Sequence, residues 1–240
     1  STNNYLREQS AKARLPEGSL VIADFQTAGK GQVGNSWESE AGKNLMFSIL
    51  LYPDFLPANR QFLISQIASL SVKETLEKYT DSVTVKWPND ILLDGKKICG
   101  ILCEIVNKNG KPKYAVVGIG LNIEKQEFPE EIMYTAASIG DKYEGELDHN
   151  EIAVDIVNNL DRYIIRRDAL NAENTGEIIN RLKMYSASLG QIVRVITPDS
   201  EYDAKVLDIA PDGGLVILSD GETTVSYTHL RAHETLMNLV

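Results

Sequence analysis

Two dipeptides, Asp94-Gly95 and Asn109-Gly110, decide most of what the middle of this chain can become. Each stands between apolar runs: ILL before the first, KKICGILCEIV between the two, and KYAVVGIGLNI after the second. Both suit two-residue turns that need positive φ at both central positions. The three runs therefore read as consecutive antiparallel strands. Upstream, VTVKW (Val83 to Trp87) reads as a strand closed by PND, and NLMFSILLYP (Asn44 to Pro53) as one stopped by its proline. SLVIADF (Ser19 to Phe25) reads as a short buried strand.

Helical spacing surrounds these strands. Ser1 to Ala13 opens with capping residue types and an apolar stripe from Leu6. Asn59 to Tyr79 repeats Leu63, Ile67, Leu70, then Val72, Leu76 and Tyr79. Glu151 to Leu170 sets Ile152, Ile156, Leu160 and Tyr163 on one face, and Glu177 to Tyr185 is a shorter helix. From Gly190 the texture changes to short alternating strands, QIVRVIT, YDAKVLDIA, GLVILS and ETTV, the pattern of a small all-β barrel. The fold class is α+β: a mixed, largely antiparallel sheet flanked by helices over residues 1–185, then an SH3-like β-barrel over 186–225. Residues 226–240 do not continue the strand pattern. They resemble a translated sequencing-adapter read-through, so native sequence is expected to stop near Thr224 or Val225, leaving the barrel without its last strand.

Register turns the hairpins into a candidate site. With two-residue turns, Lys108 pairs with Lys111, Cys99 with Gly120, and Lys97 with Asn122; Leu92 pairs with Lys97 and Asp90 with Cys99. Cross-strand partners share a face. Asp90, Lys97, Gly118, Gly120 and Asn122 then point to one side, and Val117, Ile119, Leu121 and Ile123 to a core on the other. This register holds only if neither strand carries a bulge. A face floored by glycines and rimmed by a lysine, an asparagine and an aspartate suits a ligand better than a helix, although glycines alone would suit close helix packing.

A second glycine-rich stretch, GKGQVGNSW (Gly29 to Trp37), combines backbone freedom with a cation at Lys30. Such loops turn backbone N–H groups toward phosphate or carboxylate. The spacing is neither that of a Walker loop nor of the dinucleotide fingerprint.

Composition removes other classes. The net charge of −10 argues against binding nucleic acid through the whole surface. No apolar run is long enough to span a membrane, and Ser1 opens into a polar, charged segment rather than a signal peptide. Two cysteines, Cys99 and Cys103, build no disulfide framework and read as buried small residues of a cytoplasmic protein. His229 and His233 have the spacing of helical zinc ligands but lie in the anomalous tail.

GKGQVGNSW, KWPND (Lys86 to Asp90), KKICGILCE (Lys96 to Glu104) and GIGLN (Gly118 to Asn122) occur in this order, after an opening STNNYL. Over residues 1 to about 225 the chain resembles the biotin protein ligases. The resemblance implies a catalytic fold like that of class II synthetases and an ATP-dependent reaction in two steps. Biotin and ATP give biotinyl-5′-adenylate, and biotin then passes to one lysine of a biotin carboxyl carrier protein. It implies that Thr2 and Gln26 hydrogen-bond the ureido ring, with Ser1 and Asn3 close by. Gly29, Lys30, Gly31 and Gln32 would fold over biotin and the adenylate, Lys97 would meet the carboxylate and the bridging phosphate oxygen, and Gly100 would lie against biotin. Lys30, Trp37, Lys86, Asn89, Asp90 and Asn122 would bind ATP, which brings Mg²⁺. Lys97, Lys30 and Asp90 are the catalytic candidates, Asp90 either orienting the acceptor amine or holding Mg²⁺. The family's loop carries arginines where this chain has Lys30, Gln32 and Asn35; lysine keeps the charge but loses the bidentate fork. The 240-residue sequence holds no helix-turn-helix segment before Ser1, so catalysis without nucleic-acid binding is expected of these 240 residues, with room for a homodimer. The rival readings are a lipoate ligase or transferase of the same fold and a non-catalytic biotin-binding regulator.

Overall fold

The computed structural model describes residues 1–31, 36–54, 56, 60, 62–108, 111–165, 172–197, 200–227 and 230–232. Helix α1 (Thr2–Lys12) leads to the strands β1 (Leu20–Ala23) and β2 (Asn44–Leu51), then α2 (Leu63–Leu76). Four strands follow, β3 (Val83–Lys86), β4 (Asp90–Leu93), β5 (Lys96–Lys108) and β6 (Lys111–Asn122), and after them α3 (His149–Ile165) and α4 (Ala172–Tyr185). The last part is β7 (Ile192–Ile196), β8 (Glu201–Ile209), β9 (Leu215–Ser219), β10 (Glu222–Ser226) and β11 (Leu230–Ala232). No helix among the described residues is long and apolar enough to cross a membrane.

The large sheet runs β1-β2-β6-β5-β4-β3, every neighbouring pair antiparallel, with isolated parallel bridges at Lys97–Ala136 and Val85–Ser186. Asp94 and Gly95 take φ of 47° and 79°, as their turn requires. The Asn109-Gly110 turn lies outside the described residues. One face of the sheet, with Phe47, Ile49, Val117, Ile119 and Leu121, buries against α2, α3 and α4 in a single core. The other face is divided. Leu6 of α1 covers Leu50, Tyr114 and Val116 at one end, and the candidate site occupies the rest.

Three expectations are corrected. The register of β5 is shifted by two bulges. Val106 pairs with Tyr114 but Asn107 with Pro112, so Lys113 is extra; Ile91 pairs with Cys99 but Leu92 with Lys97, so Ile98 is extra. Cys99 therefore faces Leu121 in the core, Gly100 faces both Asp90 and Gly120, and Lys97 bridges Ala136 instead of facing Asn122. Because Ile98 and Cys99 both point into the core, Lys97 returns to the same face as Gly100. Second, Ser19 to Phe25 is no buried strand: β1 is a sheet edge and leaves Leu20, Ile22 and Phe25 exposed. Third, the tail does continue the small sheet, since Leu230 pairs with Val195 and the order is β10-β9-β8-β7-β11. His229 and His233 lie outside the described residues.

Candidate active site

The site is built on the α1 side of the sheet from Met46, Ser48, Asp90, Lys97, Gly100, Gly118, Gly120 and Asn122. Register accounts for most of this set. Asp90, Gly100, Gly120 and Met46 lie in one cross-strand row, and Leu102, Gly118 and Ser48 in the next. Lys97 Nζ sits 2.7 Å from Asp90 Oδ1, and both groups are partly accessible. The Lys97 backbone is held from outside the hairpins: its N–H donates to Thr135 O at 2.7 Å and its carbonyl accepts from Ala137 N at 3.0 Å.

The space above the glycines is not left open. A side chain at Gly118 would meet Asn3 Oδ1 at 2.2 Å, and one at Gly120 would meet the Trp37 indole at 2.6 Å. At Gly118 the close-packing reading prevails: the glycine admits Asn3 from α1. Trp37 Cζ3 also lies 3.0 Å from the position a Cβ would take at Gly100, and Lys97 Nζ is 5.7 Å from the centre of the indole ring. Trp37 thus lies across the Gly100–Gly120 row, with its Nε1 buried and unpartnered among the described residues. Its backbone N–H donates to Gly29 O at 3.1 Å, and Lys30 bridges Ser36, which closes the base of the glycine loop. Lys30 is exposed, and Gln32, with residues 33–35, lies outside the described residues.

At the α1 end, the Thr2 backbone N–H donates to Gln26 Oε1 at 2.7 Å, and Gln26 Nε2 approaches Met46 Sδ at 3.5 Å. Ser1 occupies the N-cap position of α1, where its carbonyl accepts from Tyr5 N at 3.1 Å and its side chain makes no capping bond. At the opposite end, Lys86 pairs with Asp90 across the PND turn. Asn89 is buried and its amide donates to Ile101 O, while Asn122 Nδ2 donates to Ala137 O at 3.0 Å. Both asparagines thus fix the strands and the 135–137 segment that hold Lys97. Among the described residues there is no cluster of three or more metal-ligating side chains, and Asp90 is the carboxylate paired with Lys97.

Motif reading missed three groups. Ser48 carried a signal, a lone hydroxyl in the apolar run NLMFSILL. Glu104 closes the stretch KKICGILCE, where nothing in the spacing marks it out. The turn Ile132-Met133-Tyr134, tied by Thr135 to Lys97, presents exposed apolar surface, with Tyr134 73% accessible; its sequence carried no such signal.

Residues 1–122 match the model of the biotin/lipoate A/B protein ligase family. The bifunctional ligase/repressor BirA of Bacillus subtilis is 30% identical over 220 residues, a match that covers 90% of this chain and 66% of that protein. The biotin–[acetyl-CoA-carboxylase] ligase of Mycobacterium tuberculosis is 29% identical over 94% of this chain and 82% of its own length. Among solved structures, the biotin protein ligase from Aquifex aeolicus in complex with biotin and ATP superposes with a TM-score of 0.81 at 25% identity, over 97% of this chain and 95% of that one.

Proposed function

Because this chain belongs to the biotin/lipoate A/B protein ligase family, we propose that it is a biotin protein ligase. In this reading it joins biotin to ATP as biotinyl-5′-adenylate, releases pyrophosphate, and passes biotin to a lysine of a carboxyl carrier protein. The observation that carries the proposal is the position of Lys97, on the glycine-floored face, 2.7 Å from Asp90 and beside Trp37 at the base of the glycine loop. The relatives named as biotin ligases and the neighbour solved with biotin and ATP support the choice of substrates.

The first step brings a carboxylate against an α-phosphate, two anions whose repulsion is much of the barrier. Catalysis is then positioning plus positive charge. A cation 4 Å from an anion is worth about 1 kcal/mol in water and about 4 kcal/mol at a protein-like dielectric. Lys97 supplies that charge once the reactants replace Asp90 as its partner. The carboxylate oxygen forms its bond to the α-phosphorus as the bond to pyrophosphate breaks. Lys30, at the loop's base, is the second cation, and the exposed Ile132–Tyr134 turn offers an apolar surface to the purine. In the second step the neutral acceptor amine attacks the acyl carbonyl, the bond to the AMP oxygen breaks, and the amine's surplus proton is released to solvent; Asp90 orients that amine as Lys97 turns to the phosphate. Magnesium would come with ATP, and Asp90 is the side chain that would hold it, an ion that keeps several waters and is held mainly by substrate phosphates. Two free thiols support a reducing, cytoplasmic setting.

The test is pyrophosphate release with biotin present, absent or replaced by lipoate, followed by incorporation into a carrier domain. Biotin-dependent release and carrier labelling are expected. Release driven by lipoate would move the protein to the other branch of the family, and tight biotin binding without release would make it a regulator.

A further inference from the structure

One chain of hydrogen bonds crosses this face from solvent to the Thr2–Gln26 pair. Arg7 Nη1 donates to Glu104 Oε1 at 2.6 Å, and Glu104 Oε2 accepts from Asn3 Nδ2 at 2.9 Å. Asn3 Oδ1 accepts from Ser48 Oγ at 2.6 Å, and Ser48 Oγ lies 2.8 Å from Thr2 Oγ1. Ser48 and Asn3 are buried, and the second Asn3 amide proton reaches Leu102 O at 3.3 Å.

Counting protons fixes the direction of this chain. A carboxylate paired with a guanidinium only accepts, so Asn3 must turn its NH₂ toward Glu104 and its carbonyl toward Ser48. That carbonyl also only accepts, so it takes the single Ser48 proton. Ser48 then meets Thr2 as acceptor, and the Thr2 hydroxyl donates to it in preference to Gln26 Oε1, which is farther away at 3.3 Å. Every donor along the chain points away from the site toward Glu104. The Thr2 hydroxyl is left with lone pairs, and no proton, for a ligand.

We infer that Glu104, clamped by Arg7, is a positioning residue that sets the donor–acceptor polarity of the ring-binding pair, presenting Thr2 Oγ1 as an acceptor for a ureido N–H. The inference rests on the biotin reading and adds to it the residue that makes the pocket select for that N–H. A neutral amide at 104 removes the constraint. Its NH₂ can donate to a flipped Asn3, whose own NH₂ then faces Ser48; the Ser48 proton turns to Thr2 and takes up one of its lone pairs, and the Thr2 proton is left to the long 3.3 Å contact with Gln26 Oε1 or to the side of the ligand's own N–H.

The experiment is steady-state pyrophosphate release by the full chain, wild type and Glu104→Gln, with biotin and with an analogue methylated on one ureido nitrogen. The substitution should raise the biotin KM about tenfold, the loss of one good hydrogen bond. The ATP KM and the kcat at saturating biotin should stay within about twofold. Discrimination against the methylated analogue should shrink by the same factor as the biotin KM rises, which a merely loosened fold would not produce. Arg7→Met, on the half-exposed face of α1, should raise the biotin KM about two- to threefold and decides the matter if Glu104→Gln fails to fold. An unshifted biotin KM, or biotin KM, ATP KM and kcat all moving together, overturns the relay. Wild-type protein without biotin-dependent turnover overturns the ligase reading and the relay with it; normal wild-type turnover beside an unshifted variant overturns the relay alone.

Discussion

An ammonium 2.7 Å from a carboxylate is neutralised before any substrate arrives, so the proposed mechanism requires Lys97 to exchange Asp90 for the reactants during turnover. The pair is partly accessible and contributes about 0–1 kcal/mol to stability. Lys97→Ala should therefore leave the melting temperature nearly unchanged while cutting biotin-dependent pyrophosphate release by about 10²–10³-fold, the effect of removing one group that stabilises developing charge. Undiminished turnover in that variant would remove Lys97 from the mechanism. The cysteines stand at the other extreme. Burial pushes the Cys99 thiol far up and Cys103 up to about 12. The unfolded chain releases these protons from about pH 8.5 and the folded chain does not. Their contribution to stability is thus complete below that pH and declines as pH rises toward 12. Denaturant unfolding followed from pH 7 to 10 should show the decline, and a Cys99→Ala, Cys103→Ala double variant should show less of it.

At the scale of elements, α1 and β6 meet through Gly118. A methyl there would come within 2.2 Å of Asn3 Oδ1, at the centre of the chain that ends on Thr2. Gly118→Ala should push the start of α1 off the sheet, cost about 1–3 kcal/mol as overpacking does, and weaken biotin binding with it. Denaturation and calorimetric titration on one preparation would check both, and a variant destabilised with unchanged biotin affinity would separate the helix from the site. The strand β5 shows the same dependence. Its bulge at Ile98 sits beside Lys97, whose backbone takes partners at Thr135 and Ala137 outside the hairpins.

Across the whole molecule, one core runs from the large sheet into the small one, including Phe47, Leu70 and Trp87 with Val195 and Ile217. The join is specific: Trp87 Nε1 and Gln66 Nε2 both donate to Gly213 O, at 3.0 and 2.8 Å, and Ala187 N donates to Val85 O at 2.9 Å. Gly213 holds φ of +91°, and a Cβ there would lie 2.6 Å from Gln66 Oε1. Gly213→Ala should lower stability by about 1–3 kcal/mol, and wild-type protein should unfold in one calorimetric transition; two resolved transitions would make the barrel an independent unit. The sequence alone determined the strand succession, because Asp-Gly and Asn-Gly turns and period-2 apolar runs are local properties of the chain. It also determined which face of β6 is core. Only the tertiary structure decided the bulges at Ile98 and Lys113, the filling of the hollow by Asn3 and Trp37, and the link from Arg7 to Glu104. Those depend on segments far apart in the chain competing for the same backbone groups and the same volume, a competition that leaves no mark on any short stretch of residues.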